Sequence, residues 1–124
     1  MIHGMNHFTV IAQDLQRTVD FYGMLGLRPG PRPDLGFAGA WLYAGGDTAI
    51  LHVYGDRPVP PQVAGVIDHM AFSARGLRAV KERLDAEGWP YQLRQQPGSG
   101  TWQLFCHDPS GAKVELDFAP DEQA

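Results

Sequence analysis

The chain repeats itself at a fixed offset of 62 positions. Met5-Asn6-His7-Phe8-Thr9-Val10 returns as Ile67-Asp68-His69-Met70-Ala71-Phe72. The same offset carries Leu15 onto Leu77, Gly26 onto Gly88 and Leu42 onto Leu104, all residue types of cores or turns. A repeat of this kind implies one supersecondary unit used twice. Units of roughly 60 residues bury too little surface to be secure alone, so they are expected within a single domain spanning residues 1–124. The expected boundaries are module one over about 5–54, a linker over about 55–65 containing Pro58, Pro60 and Pro61, and module two over about 67–118.

Both halves give the same order of elements. Residues 5–11 alternate like a strand, with His7, Thr9 and Ile11 opposite Phe8 and Val10. Asp14 then predicts an N-cap. Leu15, Val19 and Tyr22 give the helical stripe, and Gly26 the residue that ends it. The prolines at 29, 31 and 33 leave room for at most a short edge strand. Strands follow at 37–44 and 48–54, separated by Gly45-Gly46-Asp47. Module two predicts a strand at 67–73 and a helix at 77–87 with Leu77, Val80 and Leu84 as its stripe. Strands are expected near 91–94, at 101–106 and at 112–118, and the acidic tail after Pro120 reads as frayed. The expected fold class is α+β, with two βαβββ modules forming a curved mixed sheet around a cup. Helices would cover one face of each sheet.

Composition excludes several functions. A net charge of −4 with no basic run disfavours nucleic acid and anionic membrane as partners. No apolar stretch reaches the roughly 18–20 residues that span a bilayer, and Met1-Ile2-His3-Gly4 is not the start of a signal peptide. Cys106, the single cysteine, has no partner for an internal disulfide, which points to a reducing cytoplasm.

The faces carry the chemistry. Phe8, Val10, Met70, Phe72, Val114, Leu116 and Phe118 supply sides that helices can cover. His7, His69, His52 and Glu115 fall on the other side. His52 in the last strand of half one corresponds to Glu115 in the last strand of half two. A pairing of the two halves would bring these four together as a divalent transition-metal site, with His7, His69 and Glu115 the firmer members. An enclosed carboxylate is costly unless paired or metal-bound. Glu115 is also a candidate proton-transfer group. His3 and His107 read as solvated or turn residues. Cys106 reads as core, and Trp41 and Trp102 either line the cup or pack. The loops 30–39 and 95–101 would frame its mouth, and Arg32 and Arg94 read as solvated.

These motifs resemble the vicinal oxygen chelate superfamily, which unites glyoxalases, bleomycin-resistance proteins and extradiol dioxygenases. The resemblance runs from Met5 to Phe118. It rests on Asn6-His7-Phe8-Thr9-Val10, Phe21-Tyr22 in the first helix, Asp68-His69-Met70-Ala71-Phe72, and Asp108-Pro109-Ser110-Gly111 ahead of Val114-Glu115-Leu116. It implies a metal (Ni, Zn, Co, Mn or Fe(II)) held by His7, His69 and Glu115, a small-molecule substrate bound through vicinal oxygens, and a homodimer. In glyoxalase I-like lyases and isomerases a fourth ligand, usually Glu or Gln, comes from the place of His52. That makes metal-dependent proton transfer the leading expectation. Extradiol ring cleavage on Fe(II), with His52 as an acid or base beside the metal, is the alternative. A metal-free small-molecule binding protein of the resistance type is the third. Fosfomycin-resistance transferases carry a lysine and a tyrosine where this chain has Gln95 and Phe105.

Overall fold

The computed structural model describes residues 1–124. The chain divides into two compact units, Met1–Val63 and Ala64–Ala124. Unit one contains β1 (Phe8–Ile11), α1 (Leu15–Met24), β2 (Arg28–Pro29), β3 (Gly39–Tyr43) and β4 (Ala49–Tyr54). Unit two contains β5 (Met70–Ser73), α2 (Leu77–Ala86), β6 (Tyr91–Gln95), β7 (Trp102–His107) and β8 (Lys113–Phe118). Each unit is a βαβββ module with one open, mixed, four-stranded sheet, ordered β1-β4-β3-β2 in the first and β5-β8-β7-β6 in the second. This is the α+β class that the repeat predicts.

The duplication extends to register. The parallel pairs set Thr9 beside His52 and Ala71 beside Glu115. His52 and Glu115 are thus equivalent positions, as expected. The offset of 62 fails in the third strand of each module. Leu42 pairs with Leu51, whose counterpart Val114 pairs with Cys106. Cys106, and not Leu104, is therefore the structural equivalent of Leu42. The second module has gained two residues ahead of β7. An even slip keeps every side chain on its face, so the alternation alone did not reveal it.

Both helices end in the same way. In α1, Leu27 N donates to Tyr22 O (3.0 Å) and Gly26 N to Gly23 O (3.2 Å), with Gly26 at φ +108°. In α2, Trp89 N donates to Leu84 O (2.8 Å) and Gly88 N to Asp85 O (3.0 Å), with Gly88 at φ +63°. Both are Schellman ends, which need a residue that tolerates positive φ. The starts differ. Asp14 caps α1 by accepting from Arg17 N (3.0 Å). Gly76 has no side chain with which to cap α2. Glu122 does it instead, accepting from Gly76 N (2.8 Å) and Leu77 N (2.9 Å). The tail is accordingly docked and not frayed. Free amides at a helix start attract a carboxylate from wherever the chain can supply one.

Two further expectations are corrected. The strands begin at Phe8 and Met70, so His7 and His69 stand immediately before them. There the side chains of Asn6 and Asp68 bond their histidine neighbours, and the ladder has not yet started. The buried face of α1 is Thr18, Phe21 and Tyr22, with Leu15 and Val19 only partly covered. The adjacent aromatics rotate the helix by one position. In α2 the stripe Leu77, Val80, Leu84 is buried as predicted. The core of unit one includes Val10, Leu42, Leu51 and Val53, and that of unit two includes Leu104, Val114, Leu116 and Phe118.

Candidate functional site

In unit one, β4 is central in its sheet and carries His52 between Thr9 of β1 and Trp41 of β3. The three rings His7, His52 and Trp41 form a stack. His7 and His52 have centroids 3.7 Å apart and planes 10° from parallel; His52 and Trp41 are 4.2 Å apart at 15°. His7 Nδ1 lies 2.7 Å from Asn6 Oδ1. An amide oxygen only accepts, so Nδ1 is the donor of this bond. Burial holds the His52 pKa below its usual value, and the neighbouring His7 adds to the effect.

Unit two repeats the arrangement with charge added. His69 Nδ1 lies 2.7 Å from Asp68 Oδ2, and His69 Nε2 lies 2.7 Å from Glu115 Oε2. With an acceptor at each nitrogen, the imidazole favours its protonated form. Its pKa is raised, first by the hydrogen bond it donates to Asp68; burial opposes this, and the bond to Glu115 adds to the rise. Asp68 is correspondingly lowered, by His69 first and then by Lys113, whose Nζ is 3.6 Å away. Glu115 is 6% exposed. Its other oxygen, Oε1, accepts from Gln103 Nε2 at 2.6 Å, and Gln103 Oε1 accepts from Arg94 Nε at 3.0 Å. The carboxylate is therefore oriented from both sides, which offsets the cost of burying it. Burial and the adjacent Glu115 push the Asp117 carboxyl above its ordinary range. A cleft of about 630 Å³ opens at this pair, lined among others by Asp68, Gln92, Arg94, Phe105 and Lys113. The Asp108 turn ahead of β8 is fixed by its own carboxylate, which accepts from Ser110 N (2.9 Å) and Ala112 N (3.0 Å).

The profile of the Glyoxalase/Bleomycin resistance protein/Dioxygenase superfamily matches residues 4–116. The chain belongs to this superfamily. Among curated relatives, "Glyoxylase I 4" of Arabidopsis thaliana is 29% identical over 119 residues, spanning 90% of this chain and 68% of the relative. Superfamily members of known structure share the fold. A glyoxalase family protein from Bacillus anthracis superposes with a TM-score of 0.75 at 21% identity, covering 96% of this chain and 97% of the other. A lactoylglutathione lyase from Agrobacterium tumefaciens gives 0.67 at 21%, with 94% of each chain covered. A fosfomycin resistance protein from Listeria monocytogenes gives 0.75 at 19%, with 96% and 95% covered.

Of the residues expected at a superfamily metal site, the structure brings together His7 with His52 and His69 with Glu115. It forms no group of three or more His, Cys, Asp and Glu side chains arranged to hold an ion. The other candidates resolve. Trp41 belongs to the ring stack, whereas Trp102 is structural, donating from Nε1 to Glu122 O (3.1 Å). Cys106 is buried at 1% exposure, and its thiol is pushed up to about 12 by burial, with Asp108 adding to it. That rules out an activated nucleophile. His3 and His107 are exposed. Arg32 donates to Phe37 O, and Arg94 orients Gln103. Sequence reasoning missed Asn6 and Asp68 as orienting groups, although each immediately precedes its histidine. It also missed Gln103, for which the only signal was a polar residue in phase with Phe105.

Proposed function

We propose that the chain is a divalent-metal-dependent enzyme acting on a small substrate held through vicinal oxygens, by proton transfer of the glyoxalase I-like lyase or isomerase type. The ion would be held by His7, His69 and Glu115, with His52 as the expected fourth donor or second proton-transfer group. The His69–Glu115 pair carries this reading. An imidazole nitrogen and a carboxylate oxygen 2.7 Å apart, each oriented by a further hydrogen bond, are the donors that a transition metal takes, and an ion can replace the proton between them.

When bound, the ion supplies Lewis acidity at two substrate oxygens. The residues supply the rest. Asp68 and Asn6 fix the Nε2 lone pairs of their histidines. Gln103 fixes one oxygen of Glu115 and leaves the other at the site. Glu115 is the group suited to take a proton from the substrate carbon and return it. The cleft beside His69 offers Phe105 as an apolar wall and Gln92 and Gln103 as polar ones.

Elemental analysis of protein purified without a histidine tag or chelator tests the reading. About one equivalent of one transition metal per site is expected, with turnover of a hemithioacetal on nickel, zinc or cobalt. Iron with oxygen-dependent cleavage of a catechol would replace the lyase by a dioxygenase. No metal, and none taken up on titration, would leave a small-molecule binding protein.

A further inference from the structure

We infer that unit one holds a binding site for the carboxylate of a small aromatic acid, formed by Arg32 and Arg57 around the exposed Phe37–Tyr54 pair. The site goes beyond the reading above and stands whether or not an ion binds.

The two guanidiniums share one aromatic support. The Cζ of Arg32 lies 5.1 Å and that of Arg57 4.9 Å from the centre of the Phe37 ring, and Arg57 also lies 4.6 Å from the centre of Tyr54. Phe37 and Tyr54 meet edge to face at 5.1 Å and stay more than a third exposed. Two like charges gathered on one ring repel. The chain has 14 acidic residues against 10 basic ones, yet none relieves this pair: neither arginine lies within ion-pair distance of a carboxylate. The acids beside them in sequence are committed elsewhere. Asp34 accepts from Gly36 N at 3.0 Å, and Asp56 from Leu15 N at 3.4 Å. Arg32 spends one N–H on Phe37 O at 3.0 Å, and the guanidinium of Arg57 donates nothing within the chain.

The backbone is shaped to hold the pair. Gly39 on β3 faces Tyr54 on β4. A Cβ at Gly39 would come within 2.8 Å of the Arg32 guanidinium and 2.5 Å of Val53 O, so glycine alone lets Arg32 lie against the sheet there. Asp56 turns the chain with φ +53°, a conformation uncommon outside glycine. Arg57 N then donates to Ala12 O at 3.1 Å, which fixes Arg57 beside Tyr54.

This geometry selects the ligand. A guanidinium with a ring against its face keeps its edge, and that edge is a planar fork of N–H groups matched to a carboxylate. The exposed aromatic pair beside the forks gives a flat body something to pack on, offset or edge-on. Tyr54 and His52 share a face of β4, two residues and so roughly 7 Å apart. A carboxylate held at Arg32 and Arg57 would therefore lay the ring of its ligand toward the His52–Trp41 stack.

The test is an NMR titration of the full chain, treated with chelator so that no ion can hold the carboxylate. Benzoate is the probe, with benzamide and inorganic phosphate for comparison. We expect benzoate to shift the backbone signals of Phe37, Gly39, Tyr54 and Arg57 and the Nε–H signals of both arginines, saturably, and to bind at least about tenfold more tightly than benzamide or phosphate. Arg32→Gln and Arg57→Gln should each weaken benzoate by at least about tenfold, as expected for lost hydrogen bonds to a charged group. Arg78→Gln, on the exposed side of α2, should bind it as the parent does. Circular dichroism checks that the variants fold. Equal binding of benzamide would reveal an apolar surface and no anion site, and equal binding of phosphate would remove the aromatic acid; either overturns the inference. Parental affinity in either of the first two variants, shifts centred on unit two, or no saturable shift at tens of millimolar benzoate would overturn it too. None of these outcomes touches the metal reading, which elemental analysis decides.

Discussion

Glu115 is the most constrained side chain of the candidate site. It is buried, with one oxygen bound to Gln103 and the other to His69. Glu115→Gln and His69→Ala are each expected to strip the metal, as read by elemental analysis; His69→Ala with a full complement of metal would refute the assigned ligands. Gln103→Leu keeps all the proposed donors and removes only the group that orients one of them. It should weaken Co(II) binding by about ten- to a hundredfold. It should also cost about 1–3 kcal/mol in urea unfolding, because a buried carboxylate oxygen loses its partner. His7, His69, His52 and Glu115 could be singled out from sequence because they recur at equivalent places in a repeat. Gln103 could not. A glutamine on a strand face reads as solvated, and its role appears only when the neighbouring strand sets Glu115 within 2.6 Å.

At the scale of the elements, the helix ends show which signals are local. Asp14 and the glycines at 26 and 88 act within a few residues of their own positions and were legible. The cap of α2 is 45 residues away from the amide it serves, in a tail that composition alone marks as loose. Glu122→Ala should therefore cost about 1 kcal/mol, in the range of lost N-caps, and lower the melting temperature by a few degrees. An unchanged melting temperature would show that the contact contributes nothing to folding. Leu84→Ala on the same helix should cost more, about 2–5 kcal/mol in denaturant unfolding, since it opens a cavity at a fully buried position. The strands were legible to within two or three residues at each end. What alternation could not supply was where a ladder starts, which is why His7 and His69 were read as inside strands that they precede.

For the molecule as a whole, the sign of the His69 shift sets a pH dependence. Its folded pKa lies above the ordinary 6.5, so metal-free protein gains stability from it below that value and loses it as pH rises through the folded pKa. Asp68 is shifted the other way. Its contribution is present above 3.8 and is lost as pH falls through its lowered pKa; Asp117, raised, opposes it in the acid range. His52, with its pKa lowered, opposes His69 over the same window, so it is the His52→Phe protein, metal-free, that should melt at a lower temperature at pH 8 than at pH 6. A divalent ion should reverse that order, because it needs the His69 nitrogen free of its proton, and at a hundredfold excess over Kd it adds about 2.7 kcal/mol. Thermal melts at both pH values, with and without Co(II), check both signs. No helix in the chain is long and apolar enough to cross a membrane. The duplicated fold was legible because its hydrophobic pattern is written twice. One difference between the copies lies at a single atom group: an amide oxygen of Asn6 behind His7, a carboxylate oxygen of Asp68 behind His69. An anion behind a histidine makes it the richer electron donor. In the proposed site the two histidines are therefore unequal donors, His69 the stronger and His7 the weaker.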